Sequence, residues 1–402
     1  MPLFGTEGAQ RLSVGIAVLV FFWSGFGLIS AITKKLPWAV TPILAILAYG
    51  TVFNMGLFNY YIAGALSFAA IAVLWEPRLL NVIIGIGLFA LGWVAQPLPV
   101  IWAIAILAYL YLARTLPQGL KLVLPAVCIA ILFVARNLIL HYWTASWNWR
   151  QALHATGADQ AYMFGSHYRL TSVGLVAVWA IALLHFARER GLRNLLRSIP
   201  FQLYAISVLG CFLLPDTILF PWYKAAFGGV AERVAWLSAI FVCVLVSETK
   251  HAARYGCAAA VVALLFFALL YSDARGINRM ENRVDALVSE LPPNSRVIAE
   301  LRYPPDSGFD ESMLLDRACI GKCFSFGNYE PATDQFRVHA TPGNSLVAWS
   351  TDSSSARNRV IDRAEQFFSV EPAGTLYFLH ACGTADVCMQ ALARSDLDSL
   401  RR

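Results

Sequence analysis

Apolar runs long enough to cross a lipid bilayer dominate the first 272 residues of this chain. A spanning helix needs about 20 mainly apolar residues, and charged residues make up only 14% of the chain, against about 25% in soluble domains. We therefore predict an α-helical polytopic membrane protein with about ten transmembrane helices. The predicted spans are 12–33, 36–54, 57–75, 79–96, 98–113, 120–140, 170–187, 200–219, 229–247 and 255–272.

The composition changes near Ser272. Residues 1–272 contain 17 Lys or Arg and 7 Asp or Glu, whereas residues 273–402 contain 14 and 18. The positive net charge therefore belongs to the membrane part. The chain has no basic stripe with interleaved aromatic residues, so the sequence does not indicate nucleic acid as a partner. Strand-like patterns at 294–301, 344–350 and 374–381 and a helix-like pattern at 354–368 predict a small α/β domain at 273–402, in addition to a membrane domain at 1–272.

Basic residues are unevenly distributed between the loops on the two sides of the predicted membrane. Eleven Lys or Arg residues lie in the odd-numbered connections between spans. Only five lie on the other side: one precedes the first span, and four lie in the even-numbered connections or at their edges. Cytoplasmic loops carry the excess of Lys and Arg, so we predict that the N-terminus and the C-terminal domain are extracytoplasmic. The eleven are Lys34, Lys35, Arg78, Arg114, Lys121, Arg188, Arg190, Arg193, Arg197, Lys250 and Arg254.

Four of the eight cysteines lie in the predicted outer domain: Cys319, Cys323, Cys382 and Cys388. Exported domains meet an oxidising compartment, which favours two disulfides. Three pairings of four cysteines are possible, and a zinc site built from the four thiolates is the competing interpretation.

Four charges lie within the otherwise apolar stretch 213–233: Asp216, Lys224, Glu232 and Arg233. With the predicted topology, this stretch is an outer turn between the eighth and ninth spans. One interpretation is interfacial charges that reach water. The other is a functional site, because ionisable residues within a span are costly, and a positive pocket here would suit a lipid-linked phosphate.

The second polar concentration is the outer loop 141–169, which is long for a simple connection. It contains Arg150, His154 and Asp159 among several Trp and Tyr residues. An interfacial aromatic belt and a sugar-binding surface are both compatible with this composition. No two of its His residues have the i, i+4 spacing of metal ligands, so the sequence identifies no ligand set, although a divalent metal cofactor stays open.

Two segments resemble a known family. The segment 45–75 contains Gly56-Leu57-Phe58-Asn59-Tyr60 at the start of a span, and 213–233 combines an outer loop with an Arg-bearing helix. Both are similar to bacterial multi-span proteins of the glycosyltransferase-C class. The resemblance covers about 10–272, and these proteins often carry an exported C-terminal domain as well.

The resemblance implies an enzyme of the bacterial inner membrane that uses a polyprenyl-phosphate-linked sugar. The acceptor would be a glycan, lipid or protein outside the membrane. Members of this family have an acidic loop after their first span. In this chain, residues 1–11 contain only one acidic residue, Glu7. We therefore expect a chain that lacks the family's first span and acidic loop, and the expected protein is either truncated or inactive as an enzyme. The alternative function is that of a non-catalytic membrane protein that binds lipid-linked glycan or an assembly partner. A flippase or transporter is the third candidate function.

Candidate roles follow from this chemistry. A carboxylate must lie within hydrogen-bond reach of the acceptor hydroxyl, and cations must stabilise the departing phosphate. The catalytic candidates are Asp216 and Asp159, and the candidates for binding substrate or lipid phosphate are Lys224, Arg233, Arg150, His154 and Tyr223.

The predicted topology can be tested with reporter fusions. A reporter at Gly191 should give a cytoplasmic signal and one at Ser295 an external signal, because the loops carrying most of the basic residues stay inside. The reversed pattern of signals would contradict both the orientation and the outer location of the candidate site.

Overall fold

The structure of the protein is a computed structural model. It describes residues 5–117, 120, 122–147, 151–154, 156–219, 229–301, 313–325, 329–330, 335–336, 356–383 and 386–397. The chain divides into two compact units, the first formed mainly by residues 1–163, 168–220 and 226–267, and the second mainly by 268–402. The predicted domain boundary lay at 272/273.

Helices form most of the first unit. Their bounds are α1 Gly5–Thr33, α2 Thr41–Ala48, α3 Thr51–Asn54, α4 Phe58–Leu74, α5 Leu79–Ala95, α6 Pro97–Thr115, α7 Val123–Tyr142, α8 Gln151–His154, α9 Arg169–Arg190, α10 Leu192–Arg197, α11 Ile199–Leu213, α12 Val230–Ser247 and α13 Ala252–Ser289, which continues into the second unit. Strands β1 Thr144–Ser146 and β2 Thr217–Leu219 form a short antiparallel pair.

Six described helices are long and apolar enough to cross a membrane: Gly8–Thr33, Pro97–Thr115, Val123–Tyr142, Ser166–Arg190, Val230–Ser247 and Ala252–Ser289. Four shorter apolar helical stretches occupy Trp38–Asn54, Phe58–Leu74, Leu79–Ala95 and Ile199–Leu213. Each predicted apolar segment therefore contains helix, and the prediction of an α-helical membrane protein is confirmed at this level.

Two of the predicted segments are not continuous helices. Segment 36–54 contains a 3-10 turn at Trp38–Val40 followed by α2 and α3. In segment 200–219, α11 ends at Leu213 and β2 follows. Pro215, which has no N–H to donate, accounts for this second break.

The centre of the first unit is α12, of which 13 of 18 residues are buried. Trp236 of α12 stacks on Phe21 of α1, with 4.7 Å between ring centroids, and lies 5.2 Å from the ring of Tyr61 on α4. Its indole N–H donates to the Leu47 carbonyl, 3.1 Å away, near the end of α2. This aromatic group fixes four helices against one another.

Ion pairs link several of the odd-numbered connections of the first unit. Lys34 Nζ and Glu76 Oε1, from the first and third connections, are 2.5 Å apart. Arg190 and Glu248, at the ends of α9 and α12, form an ion pair of 3.3 Å. Ion pairs therefore join the first connection to the third and the seventh connection to the ninth.

A separate set of contacts involves the sixth and eighth connections. The Val52 N–H in α3 donates to Gln160 Oε1 at 3.1 Å, and the Asp216 N–H donates to the Ser146 carbonyl at 3.1 Å. The sixth connection thus contacts both α3 and the eighth connection, and the second of these contacts brings the two polar concentrations of the sequence together.

The second unit contains a three-stranded sheet with helices on both faces. The sheet comprises β3 Arg296–Glu300, β6 Leu376–Gly383 and β7 Asp386–Leu392, with β3 parallel and β7 antiparallel to β6. The distal part of α13 packs on one face with α14 Met313–Ala318, and α15 Ala356–Val370 packs on the other. The short strands β4 Tyr329–Glu330 and β5 Gln335–Phe336 pair separately. The strand predicted at 344–350 lies outside the described residues.

The second unit contains two disulfides, Cys319–Cys323 after α14 and Cys382–Cys388 between β6 and β7. The predicted disulfides are therefore present, and both pairings are local in sequence. Each closes a short loop beside the sheet, so both act on local structure.

Gly64 provides a test of the packing around Trp236. A Cβ atom at Gly64 would lie 2.5 Å from Trp236 Cζ3, and overpacking of this kind costs about 1–3 kcal/mol. Gly64→Ala should therefore lower the thermal unfolding midpoint in detergent. Gly27→Ala is the matched control, because a Cβ added at Gly27 would meet no atom within 4 Å; equal effects of the two substitutions would contradict the packing.

Candidate functional site

A buried 3-10 turn, Ala158–Ala161, carries the centre of the site. All four residues are buried. The turn begins after Gly157, which has a φ of 68° and lies so close to α12 that a Cβ would be 2.5 Å from the Ala239 Cβ. Both constraints favour glycine at this position, and they hold the turn against α12.

Three hydroxyl groups fix the backbone of this turn. Thr51 Oγ1 donates to the Asp159 carbonyl at 3.2 Å, Ser172 Oγ donates to the Ala158 carbonyl at 2.9 Å, and Thr171 Oγ1 donates to the Ala161 carbonyl at 2.8 Å. The turn therefore has little freedom relative to α3 and α9.

Gln160 holds the Asp159 side chain. Gln160 is fully buried, its Nε2 donates to Asp159 Oδ2 at 2.9 Å, and its Oε1 accepts the Val52 N–H. The Val52 N–H lies in the first turn of α3, where helical partners are lacking. The Nε2 and the Oε1 of Gln160 therefore both form hydrogen bonds, which determines the orientation of its side-chain amide.

His154 links Asp159 to Glu232. His154 Nδ1 lies 2.8 Å from Asp159 Oδ2, and His154 Nε2 lies 3.8 Å from Glu232 Oε1. The side chains of His154 and Asp159 are 10% and 9% exposed, whereas that of Glu232 is 31% exposed. The three groups form a chain that runs from a buried carboxylate to one that reaches the surface.

The position of His154 is determined by α8. Gln151, at the start of this short helix, donates from Nε2 to the carbonyls of Cys211 and Leu214 at 2.8 and 2.9 Å. Carbonyls at a helix C-terminus lack helical partners, so Gln151 caps α11 and anchors α8 at the same time.

The surroundings raise the pKa of His154. Burial acts to lower this pKa, but the hydrogen bond and charge of Asp159 and the charges of Glu232 and Asp216 outweigh it. The protonated imidazolium is therefore favoured between the carboxylates.

Asp216 lies at the same site. Its backbone joins the end of the β1–β2 pair to the start of α12, since its N–H donates to Ser146 and its carbonyl accepts the Val230 N–H at 3.3 Å. Its side chain is close enough to interact electrostatically with His154 and Glu232. Within the described residues, Asp216 Oδ1 and Asp159 Oδ1 are buried without a hydrogen-bond partner.

Arg233 lies beside this group in the first turn of α12. Its guanidinium carbon is 5.8 Å from the centre of the Tyr60 ring, and the Tyr60 hydroxyl donates to the Arg233 carbonyl at 2.9 Å. Glu232 and Arg233 point to different neighbours, as adjacent helical residues do: Glu232 contacts His154, and Arg233 contacts Tyr60.

The structure thus brings together four of the predicted site residues: Asp159, Asp216, His154 and Arg233. Arg150, Tyr223 and Lys224 lie outside the described residues. Sequence reasoning singled out Glu232 as one of four charges in an apolar stretch but gave it no role, and it missed Gln160 and Tyr60 as members of the site. Each of the three has one partner more than 70 residues away in the chain: His154 for Glu232, Val52 for Gln160 and Arg233 for Tyr60. The only sequence signals were the presence of Glu232 in an apolar segment and of Tyr60 in the run 56–60.

Among the described residues, no group of three or more His, Cys, Asp or Glu side chains is arranged to hold a metal ion. Comparison with known proteins gives no match to any family model, curated protein or solved structure.

The His154 site predicts a pH dependence of stability. A group whose pKa is raised on folding stabilises the protein fully below its unfolded pKa, about 6.5 for His, and loses this contribution as pH rises through the folded value. The difference in thermal midpoint between wild type and His154→Asn should therefore be largest below that pH and shrink in alkaline buffer. The exposed His141 provides the control, as His141→Asn; a His154→Asn difference that grows with pH would contradict the assignment.

Proposed function

We propose that this protein is a membrane-embedded glycosyltransferase that moves a sugar from a polyprenyl-phosphate donor to an extracytoplasmic acceptor. The observation that carries the proposal is the chain Asp159–His154–Glu232 beside Arg233, where the sixth connection contacts α3 and the eighth connection. Ionisable groups within or beside membrane helices are costly and usually functional, and these combine a carboxylate at the surface with a cation.

In this proposal Glu232 is the base that meets the acceptor. Its side chain is the most exposed of the three in the chain, whereas Asp159 Oδ1 is shielded and Asp159 Oδ2 is occupied by His154 and Gln160. Asp159 then acts through His154, which it holds next to Glu232. Asp216 contributes its charge to the same group.

The reaction is a displacement at the anomeric carbon. The acceptor hydroxyl gives its proton to Glu232 while its oxygen forms the new glycosidic bond. The bond between the anomeric carbon and the phosphate oxygen breaks, and the electron pair leaves on the polyprenyl phosphate. General-base assistance of this kind contributes typically 10²- to 10⁴-fold.

Arg233 is proposed to bind the departing phosphate. Its guanidinium cannot lose its charge at physiological pH, and charge stabilisation of a leaving phosphate is effective at a water-poor site. Three carboxylates oppose His154 and Arg233 here, so the described residues provide no surplus of positive charge. The proposal therefore retains Lys224 and Arg150 as further phosphate contacts and Tyr223 as a donor contact.

The proposed setting is the bacterial inner membrane, with ten spans and with the site and the C-terminal domain outside. Its support is the positive bias of the odd-numbered connections and the ion pairs that join the first connection to the third and the seventh to the ninth. The second candidate function is binding of lipid-linked glycan without transfer. The shielding of Asp159 Oδ1 and Asp216 Oδ1, the two carboxylates singled out in the sequence, favours it.

Substitutions at two adjacent residues separate the two candidate functions. Glu232→Gln should lower sugar transfer at least about 100-fold while donor binding is retained, because only the base is lost. Arg233→Ala should weaken binding of the polyprenyl-phosphate donor without preventing membrane insertion. Transfer is measured with radiolabelled sugar on a polyprenyl phosphate, and binding by competition in detergent micelles.

Lys250→Ala is the control, since this exposed cation follows α12 at the opposite end of that helix. It should change neither binding nor transfer. Donor binding with no transfer by wild type would favour the non-catalytic candidate, and wild-type behaviour of both site variants would contradict the site itself.

A further inference from the structure

Tyr60 contacts Arg233 in two ways. Tyr60 is the third residue of α4 and only 2% exposed. Its hydroxyl donates to the Arg233 backbone carbonyl at 2.9 Å, and the centre of its ring lies 5.8 Å from the guanidinium carbon. Buried tyrosine hydroxyls usually find a partner, and an arginine within about 6 Å of an aromatic ring is attracted by the negative face of that ring.

Tyr60 is itself held by the aromatic group at the centre of the first unit. The rings of Tyr60 and Trp236 are 5.8 Å apart, and Trp236 packs against both Phe21 and Tyr61, whose own rings are 5.0 Å apart. Gly64, one helical turn along α4, allows Trp236 to approach the helix. The ring of Tyr60 therefore has a fixed position, which it transmits to the first turn of α12.

The two contacts constrain different parts of Arg233. The hydroxyl group fixes the backbone of the first turn of α12 relative to α4, and the ring provides a surface for the guanidinium. A preorganised cation binds an anion better than a mobile one, because less conformational entropy is lost on binding.

We infer that Tyr60 is a positioning residue that presents Arg233 to the phosphate group of a polyprenyl-phosphate ligand. The inference rests on the proposed function for the identity of the ligand. It also gives a physical role to the run Gly56-Leu57-Phe58-Asn59-Tyr60, because this run begins α4 and places Tyr60 beside the first turn of α12.

Two substitutions separate the contacts. Tyr60→Phe removes the hydroxyl and keeps the ring, whereas Tyr60→Leu removes both. Farnesyl phosphate is the probe and farnesol the uncharged reference, with binding measured in detergent micelles. We expect the dissociation constant of farnesyl phosphate to rise about 3-fold in Tyr60→Phe and about 10-fold in Tyr60→Leu, with binding of farnesol unchanged in both.

Tyr61→Phe is the matched control. Tyr61 is the adjacent residue, fully buried, and its hydroxyl also donates to a backbone carbonyl, that of Ala48 at 3.0 Å. This variant loses the same type of hydrogen bond in the same aromatic group. Binding of farnesyl phosphate should stay within about 2-fold of wild type.

A double-mutant cycle shows whether Tyr60 acts through Arg233. In an Arg233→Gln background, Tyr60→Leu should weaken the residual binding by less than about 2-fold, because coupled residues are non-additive. In transfer assays, Tyr60→Phe should raise the KM for donor and leave kcat at saturating donor nearly unchanged. A merely structural lesion would lower kcat and affect Tyr61→Phe in the same way.

The outcomes are distinguishable. Phosphate binding that is weakened by Tyr60→Phe in a protein without transfer activity supports the inference and contradicts the catalytic part of the proposed function. Binding that needs Arg233 but is unaffected by both Tyr60 variants overturns the inference and leaves the function standing. Should Tyr60→Leu not fold, Tyr60→Phe alone decides. Failure of wild type to bind farnesyl phosphate overturns the inference.

Discussion

The absence of water from the bilayer interior is the constraint on which this structure depends. Backbone polar groups there must be satisfied within the chain, and helices do so. Irregular backbone is therefore expected at the ends of the helices, and the described 3-10 turns, the β1–β2 pair and the capping glutamine Gln151 lie between them. A site that needs fixed but non-helical backbone can only be built where such segments meet.

The polar residues of the candidate site, which lie at these helix ends, are held on one side by apolar packing. Trp236 connects α1, α2, α4 and α12, and the same contacts position Tyr60 and hence Arg233. Asp159 is held from the other side by Gln160 and by the turn next to Gly157. Burial alone would lower the pKa of His154. The hydrogen bond and charge of Asp159, together with the charges of Glu232 and Asp216, outweigh this effect and raise the pKa of His154 at a site of low exposure.

The sequence predicted the apolar helices well, because a run of about 20 apolar residues has few alternatives to a helix in a membrane. It also predicted β3, β6 and α15 and the two polar concentrations. It did not predict the break within 36–54, which depends on how Gly50 approaches Gln160, or the ends of α8. The contact of Glu232 with His154 could not be predicted from sequence spacing, since the two residues are 78 positions apart.

The central claim is that Arg233 and Glu232 form one site for a lipid-linked sugar phosphate. The most direct test is the structure of the protein in nanodiscs with a non-transferable polyprenyl-phosphonate sugar, determined by electron cryomicroscopy. We expect the phosphonate to lie within hydrogen-bond distance of the Arg233 guanidinium and the sugar to lie between the phosphonate and Glu232. A phosphonate bound near Lys250 and the other odd-numbered connections, or an Arg233 side chain turned toward lipid, would contradict the central claim.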